Sequence, residues 1–161
     1  MKNMIHSIRY EEYDSLQELT QQDRILMQEA IAATQGAYAP YSKFCVGAAV
    51  RLQSGQLVRG ANQENAAYPS GLCAERTALF SAHALYPNDP VEAIAIVASV
   101  NGQLTPNFTY PCGACRQVMA ESEMRAQAPI SVFVGSATRI LRFEAVASLL
   151  PFIFDNLPEK D

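Results

Sequence analysis

The sequence contains few of the residues that mark chains without a packed core. Among its 161 residues there are only 8 glycines and 9 prolines, while 49% of the residues are hydrophobic. This composition excludes collagen-like, low-complexity and disordered chains. No internal repeat, charge block or Gly/Ser-rich linker divides the chain. A chain of this length therefore suits one domain with a single core.

Basic residues and long apolar runs are scarce as well. The chain has 12 Lys and Arg against 16 Asp and Glu, a net charge of −4. Binding to a phosphate backbone requires a field of positive charge, so we expect no polymeric nucleic-acid partner. The longest strongly apolar run, residues 93–98, is far shorter than the ~20 residues that cross a bilayer, so we expect no membrane association.

The N-terminal residues also lack the features of a targeting segment. Residues 1–14 have no apolar stretch and contain Glu and Asp, so they do not fit a secretory signal or a transit peptide. We therefore expect a cytoplasmic protein. In that compartment its 4 cysteines indicate metal ligands or catalytic groups rather than disulfides.

The hydrophobic pattern predicts alternating helices and strands. Helices are expected at residues 21–35, 73–85, 113–122 and just before Pro151, and strands at residues 44–52, 56–61, 91–100, 130–134 and 139–143. This order predicts a three-layer α/β/α single domain over residues 21–161, with a five-stranded mixed sheet. Residues 1–20 are expected to be a loosely attached N-terminal extension.

Three of the four cysteines lie in two short motifs, each at the start of a predicted helix. Cys73 begins Cys-Ala-Glu-Arg, and Cys112 and Cys115 lie in Pro-Cys-Gly-Ala-Cys-Arg. A helix N-terminus stabilises a thiolate, and three thiolates supply three corners of a tetrahedral zinc site. If the fourth ligand is a protein group the site is structural; if it is water, zinc lowers the pKa of that water toward ~7.

Two charged residues next to Cys73 fit a catalytic site. Glu75 lies close enough to exchange protons with a metal-bound water without being a ligand. Three thiolates and one Zn²⁺ carry a net negative charge, which weakens the metal as a Lewis acid. Arg76 can offset that charge by donating hydrogen bonds to the ligand sulfurs.

The spacing of Cys-Ala-Glu and Pro-Cys-x-x-Cys resembles the zinc-dependent cytidine deaminase superfamily. Two further segments, residues 38–49 (YAPYSKFCVGAA) and 62–68 (NQENAAY), are similar to the small homotetrameric cytidine deaminases in particular. All four segments occur in the family's order, and the resemblance covers residues 21–154. It implies the cytidine deaminase fold and one Zn²⁺ per chain on Cys73, Cys112 and Cys115, with Glu75 as the proton shuttle.

The implied reaction is hydrolytic deamination of free cytidine and 2′-deoxycytidine by a zinc-bound hydroxide, in pyrimidine salvage. The resemblance also implies roles for substrate-binding residues. Phe44 would pack on the base, Asn62 and Glu64 would bond the 3′-hydroxyl of the sugar, and Tyr68 and Ala74 would line the pocket.

The resemblance further implies a homotetramer in which Phe154 enters the active site of a neighbouring subunit. The chain departs from the family in two ways. Cys45 stands where the family usually has proline, and the N-terminal extension is additional.

Several alternatives remain open at the level of the sequence. Cys45 could complete a closed, non-catalytic zinc site, and Cys112 with Cys115 could form a redox pair. The same zinc chemistry could also act on another amino-substituted nucleoside of the blasticidin type, or on a polynucleotide, although the acidic charge disfavours a polymer.

The substrate-binding residues have structural alternatives too. Phe44 suits a strand core, Asn62 and Glu64 suit loop capping, and Phe154 suits an ordinary core or interface position.

Overall fold

The computed structural model describes residues 1–155, which are built around one mixed sheet of seven strands. The strands are β1 (Glu11–Tyr13), β2 (Cys45–Leu52), β3 (Leu57–Ala61), β4 (Val91–Val100), β5 (Gln103–Leu104), β6 (Ser131–Gly135) and β7 (Ile140–Phe143). The α-helices are α1 (Gln21–Ala33), α2 (Ala74–Leu85) and α3 (Gly113–Ala126). The order across the sheet is β1-β7-β6-β4-β2-β3, with β5 paired to β4. Strands β4 and β6 run parallel, and the other paired strands in the described chain are antiparallel.

Helices cover the sheet on both faces. Helix α1 packs Leu26 and Met27 against alternate residues of β4, among them Ala95. Helices α2 and α3 cover the opposite face, where Ile94 and Ile96 of β4 point. A continuous apolar strand suits this double coverage. The predicted three-layer α/β/α architecture with a mixed sheet is confirmed.

The sheet has seven strands rather than the five predicted. All five predicted strands are present, and β1 and β5 are additional. Strand β1 lies within the N-terminal extension and pairs with β7. Two ion pairs hold it, Glu11 with Arg142 at 2.7 Å and Glu12 with Arg139 at 2.9 Å. Part of the extension therefore joins the sheet, and Leu19 is buried. The division of the chain at residue 20 stays a prediction.

The segment after β7 also differs from the prediction. The helix expected before Pro151 is only a short 3₁₀ turn, Val146–Ser148. The carboxylate of Glu123 on α3 accepts hydrogen bonds from the backbone N–H groups of Ile130 and Val146, at 2.8 and 3.1 Å. These bonds hold the turn against α3, and the chain continues as an irregular tail. No helix within residues 1–155 is long and apolar enough to cross a membrane.

Candidate active site

The three motif cysteines meet at the adjacent N-termini of α2 and α3. Cys73 precedes α2, Cys112 precedes α3, and Cys115 lies in the first turn of α3. Their sulfurs all lie within 4.8 Å of one another, with Cys112 Sγ and Cys115 Sγ 3.5 Å apart. Tetrahedral zinc with Zn–S bonds of ~2.3 Å places its sulfur ligands ~3.8 Å apart. The sulfur positions therefore suit zinc. Of the residues described, Cys45 is not part of this group.

The position of Cys73 depends on how closely α2 lies on the sheet. A Cβ atom at Gly60 of β3 would stand 2.3 Å from the nitrogen of Ala78 and 2.5 Å from the carbonyl oxygen of Ala74. Only glycine leaves space for such an approach. Ala74 and Ala78 are fully buried on the face of α2 that contacts β3. This contact of small residues fixes the distance of Cys73 and Glu75 from the sheet.

The thiols influence one another strongly. The pKa of Cys73 is lowered to about 5, first because the Cys115 thiol donates a hydrogen bond to it and then because Arg76 does. Arg76 Nη2 lies 3.6 Å from Cys73 Sγ. The pKa of Cys115 is raised, because its proton is held by Cys73 and because the side chain is buried. Cys73 therefore ionises before Cys115, and a bound cation would favour the thiolate form of its ligands.

Arg76 adds a second indication that the cluster is anionic. Its Nε atom is buried and has no hydrogen-bond partner within residues 1–155. A buried N–H without a partner is costly, and more so on a charged group. Additional thiolates beside Arg76 would balance the positive charge of its guanidinium group. The donor set and this orphaned N–H together fit a zinc ion.

Glu75 is a buried carboxylic acid beside the cluster, with 5% of its surface exposed. Burial raises its pKa, and the negative charge of Cys73 raises it further. A carboxyl group with a raised pKa gains and releases protons at a higher pH than an exposed one. This property is what a general acid–base catalyst needs near neutral pH.

Phe44 and Cys45 lie at the start of β2. Successive side chains of a strand point to opposite faces. Phe44 immediately precedes the strand and Cys45 is its first residue. Val46 packs against the core under α2 and α3, so alternation places Cys45 on the α1 face. Phe44 is half-buried, as either a base-packing residue or a core residue would be. The cysteine that replaces the usual proline thus points away from the face that carries the metal ligands.

Asn62 and Glu64 bind the loop that leads into β2. Asn62 accepts a hydrogen bond from the Val46 N–H at 2.8 Å and donates one to the Phe44 carbonyl at 2.9 Å. The Glu64 carboxylate accepts hydrogen bonds from the N–H groups of Tyr41 and Ser42, at 2.9 and 3.3 Å, and from the Ser42 hydroxyl.

These bonds leave capacity for a ligand. The Ser42 hydrogen bond lowers the pKa of Glu64, so its carboxylate stays ionised. An amide nitrogen has two N–H groups and a carboxylate has about four acceptor positions. Both residues thus cap the loop and still have donor or acceptor positions free for a ligand. Their contact with a sugar stays a prediction.

The other two pocket residues differ in exposure. Tyr68 is 79% exposed, and its ring centroid lies 6.4 Å from that of Tyr41. Ala74 is fully buried in the core, so its methyl group does not reach a ligand. Its N–H lies in the first turn of α2, where backbone donors have no partner within the helix. A contact between Ala74 and substrate would therefore use the backbone.

Two residues without a role predicted from the sequence tie the C-terminal tail to α3. Arg116 donates hydrogen bonds to the carbonyls of Pro111 and Leu149, at 2.9 and 2.8 Å. Gln117 bonds both backbone groups of Phe154. Arg116 and Gln117 directly follow Cys115 in the sequence. This closeness to a metal-binding motif was the only feature of the sequence that could have indicated a role for them. Phe154 itself is 68% exposed.

Comparisons with known proteins agree with this geometry. The family model described as "Cytidine and deoxycytidylate deaminase zinc-binding region" matches residues 20–128. A cytidine deaminase of Halalkalibacterium halodurans is 47% identical over 131 residues, which are 81% of this chain and 92% of that protein.

Solved structures of cytidine deaminases share the fold. The structure from Burkholderia pseudomallei has a TM-score of 0.68 and 40% identity, covering 84% of this chain and 100% of the other. The structure from Mycobacterium tuberculosis has a TM-score of 0.65 and 32% identity, covering 82% and 96%. With its three sulfurs and buried glutamate inside the matched region, the chain belongs to the cytidine deaminase family.

Proposed function

We propose that this protein is a zinc-dependent cytidine deaminase, which converts free cytidine and 2′-deoxycytidine to uridine and 2′-deoxyuridine with release of ammonia. The observation that carries the proposal is the buried Glu75 beside three converging cysteine sulfurs. A closed structural zinc site has no use for a buried acid with a raised pKa at this place.

Cys73, Cys112 and Cys115 would hold the metal, one ion per chain. When bound through three protein ligands, zinc lowers the pKa of a water molecule toward ~7 and so makes a hydroxide nucleophile available at neutral pH. Arg76 donates to Cys73 and reduces the negative charge that three thiolates place on the site.

Glu75 carries the protons. It takes one from the attacking water and gives it to N3 of cytosine, which makes C4 electrophilic. It then takes the second proton of that water, now on the C4 hydroxyl, and gives it to the amino group at C4, which leaves as ammonia as the C4 carbonyl forms. Burial shields the carboxyl from bulk solvent, and its raised pKa suits a group that must both accept and donate protons.

The substrate-binding residues favour a free nucleoside. We propose that Phe44 packs on the base and that Asn62 and Glu64 bond the 3′-hydroxyl, with Tyr68 and the Ala74 backbone lining the pocket. The ionised Glu64 carboxylate would accept a hydrogen bond from a hydroxyl and repel a 3′-phosphate. This charge supports a nucleoside substrate over a polynucleotide.

We further propose a homotetramer in which Phe154 enters a neighbouring active site. What supports it is the exposure of Phe152 and Phe154, 87% and 68%, on a tail that is bonded to α3. The cytoplasmic location stays a prediction.

The test is a substrate panel of cytidine, 2′-deoxycytidine, cytosine, CMP and blasticidin S, with zinc measured in the same preparation. We expect one zinc per chain and fastest turnover of the two nucleosides. A preference for blasticidin S would assign the chain to the alternative substrate. If the protein binds zinc but turns over no cytosine compound, it is a structural zinc module rather than an enzyme.

A further inference from the structure

Two adjacent side chains of α3 hold Leu149 and Phe154 of the C-terminal tail. Arg116 donates to the carbonyl of Leu149 at 2.8 Å, where the tail begins. Five residues further on, Gln117 Nε2 donates to the carbonyl of Phe154 at 2.8 Å, and the Phe154 N–H donates to Gln117 Oε1 at 3.2 Å. One amide side chain therefore satisfies both backbone groups of Phe154.

These bonds fix the direction in which the Phe154 side chain leaves the backbone. Ile153 packs against the core, whereas the rings of Phe152 and Phe154 are 87% and 68% exposed. An exposed ring gains little orientation from packing within its own subunit. The Phe154 backbone is fixed by Gln117, which sets the direction of the Cα–Cβ bond and so restricts the ring to the few positions that its rotamers reach from there.

We propose that Gln117 is a positioning residue for the reaction: it fixes the Phe154 backbone so that the ring is presented in the orientation required to close a neighbouring subunit's pocket. The inference rests on the proposed function and on its homotetramer. Since Cys112 immediately precedes α3 and Cys115 lies in its first turn, the helix that positions two metal ligands of one site also positions the closing residue of another.

Four variants test the proposal. Gln117→Ala removes both bonds to the tail, and Gln117→Glu keeps the acceptor but loses the donor. Phe154→Ala removes the ring itself. Glu121→Ala is the matched control, because Glu121 is exposed one turn further along α3. Each variant is assayed for kcat/KM with cytidine, zinc content and sedimentation.

We expect Gln117→Ala to lower kcat/KM by about tenfold, as the loss of a well-placed aromatic contact does. Gln117→Glu should fall between Gln117→Ala and the wild type, and Glu121→Ala should match the wild type. The decisive measurement is the double variant. If Gln117 acts only through Phe154, Gln117→Ala/Phe154→Ala will match Phe154→Ala within about twofold. Losses that multiply, or a Gln117→Ala enzyme as active as the wild type, would overturn the proposal.

Mixed tetramers give a test that does not depend on the stability of one variant. Glu75→Gln subunits should lose nearly all turnover but carry intact tails, whereas Gln117→Ala subunits keep Glu75 and lose the hold on the tail. Mixing the two should raise the activity per Gln117→Ala subunit, because intact tails then reach its sites. Unchanged activity in verified mixed tetramers would mean that Gln117 acts within its own subunit, contrary to the proposal.

The same data separate the two levels of inference. A wild-type protein that does not deaminate cytidine would refute the proposed function. A wild-type enzyme that is active, but whose Gln117 variants behave independently of Phe154, would refute only the role of Gln117.

Discussion

A methyl group added at Gly60 of β3 should displace α2 and, with it, the active-site residues Cys73 and Glu75. In Gly60→Ala the new Cβ would stand 2.3 Å from the nitrogen of Ala78, 2.5 Å from the oxygen of Ala74 and 2.8 Å from the Cα of Ala78. Comfortable contacts between such atoms are ~3.5 Å, so α2 must move away from β3 by about 1 Å. All three neighbouring atoms are backbone, and no side-chain rotation relieves the clash.

Both stability and catalysis should suffer. Overpacking of this kind costs ~1–3 kcal/mol, which lowers Tm by several degrees in a domain of this size. Cys73 and Glu75 move with α2, while Cys112 and Cys115 stay on α3. A displacement of about 1 Å costs on the order of 100-fold in kcat when reacting groups lose their alignment. Zinc affinity should fall as well, because one of the three sulfurs is displaced.

The assay compares Tm, zinc content and kcat/KM of Gly60→Ala with those of Gly36→Ala. A Cβ at Gly36 would meet the Cβ of Ala61 at 3.7 Å, an ordinary contact, so this control should resemble the wild type. A Gly60→Ala enzyme with unchanged Tm, zinc content and kcat/KM would show that the position of α2 does not depend on Gly60.

Three further predictions follow from single side chains. Glu75→Gln should retain zinc and lose ~10²–10⁴-fold in kcat, because the amide cannot move protons, and retention of more than a few per cent of kcat would exclude this role. Cys45→Ser should keep one zinc per chain and kcat/KM within about twofold, since Cys45 lies outside the cluster; loss of zinc would instead indicate a fourth protein ligand. A hydrogen bond from Arg59 lowers the pKa of Glu29, so their ion pair stabilises the fold above the ordinary carboxyl pKa and loses its effect as pH falls through the lowered value. Glu29→Gln should therefore be less stable than the wild type by up to ~1 kcal/mol at neutral pH, and the difference should shrink as the pH falls below the ordinary carboxyl pKa, as measured by urea unfolding; a difference that does not change with pH would refute the ionic origin.

The long elements and the metal cluster could be predicted from the sequence because each carries its own signal. Strand β4 was predicted with the bounds it has, since a run in which eight of ten residues are apolar fits a strand covered on both faces. The convergence of Cys73 with Cys112 and Cys115 follows from the motifs, which place each thiol at a helix N-terminus.

Short strands could not be predicted, because they form only through pairing with strands elsewhere in the fold. Strand β1 has 3 residues and β5 has 2, too few for a pattern of alternation. Strand β1 pairs with β7, and its glutamates meet Arg142 on β7 and Arg139 just before it, residues that lie more than a hundred positions away along the chain. The same limit applies to Gln117, since only the fold brings Phe154 next to it.

Asn62 and Glu64 show a different limit. The sequence indicated two roles for them, loop capping and sugar binding, and treated these as alternatives. The structure shows that both side chains cap the loop before β2 while keeping donor and acceptor capacity. A hydrogen-bonding residue in a binding loop can serve both roles, because the bonds that order the loop also orient the groups left over.

Several aromatic rings are exposed in the segments that carry the candidate substrate residues. Their exposure supports the proposal that one subunit forms only part of the pocket. Tyr41, Tyr68 and Phe154 are 51%, 79% and 68% exposed, although each ring would gain free energy on burial. Clustered exposed apolar groups mark surfaces that bind a ligand or a partner. A bound nucleoside can cover a ring in its own pocket, whereas Phe154 lies on a tail that Gln117 fixes to α3. The proposed tetramer gives Phe154 a binding partner that residues 1–155 of one chain do not supply.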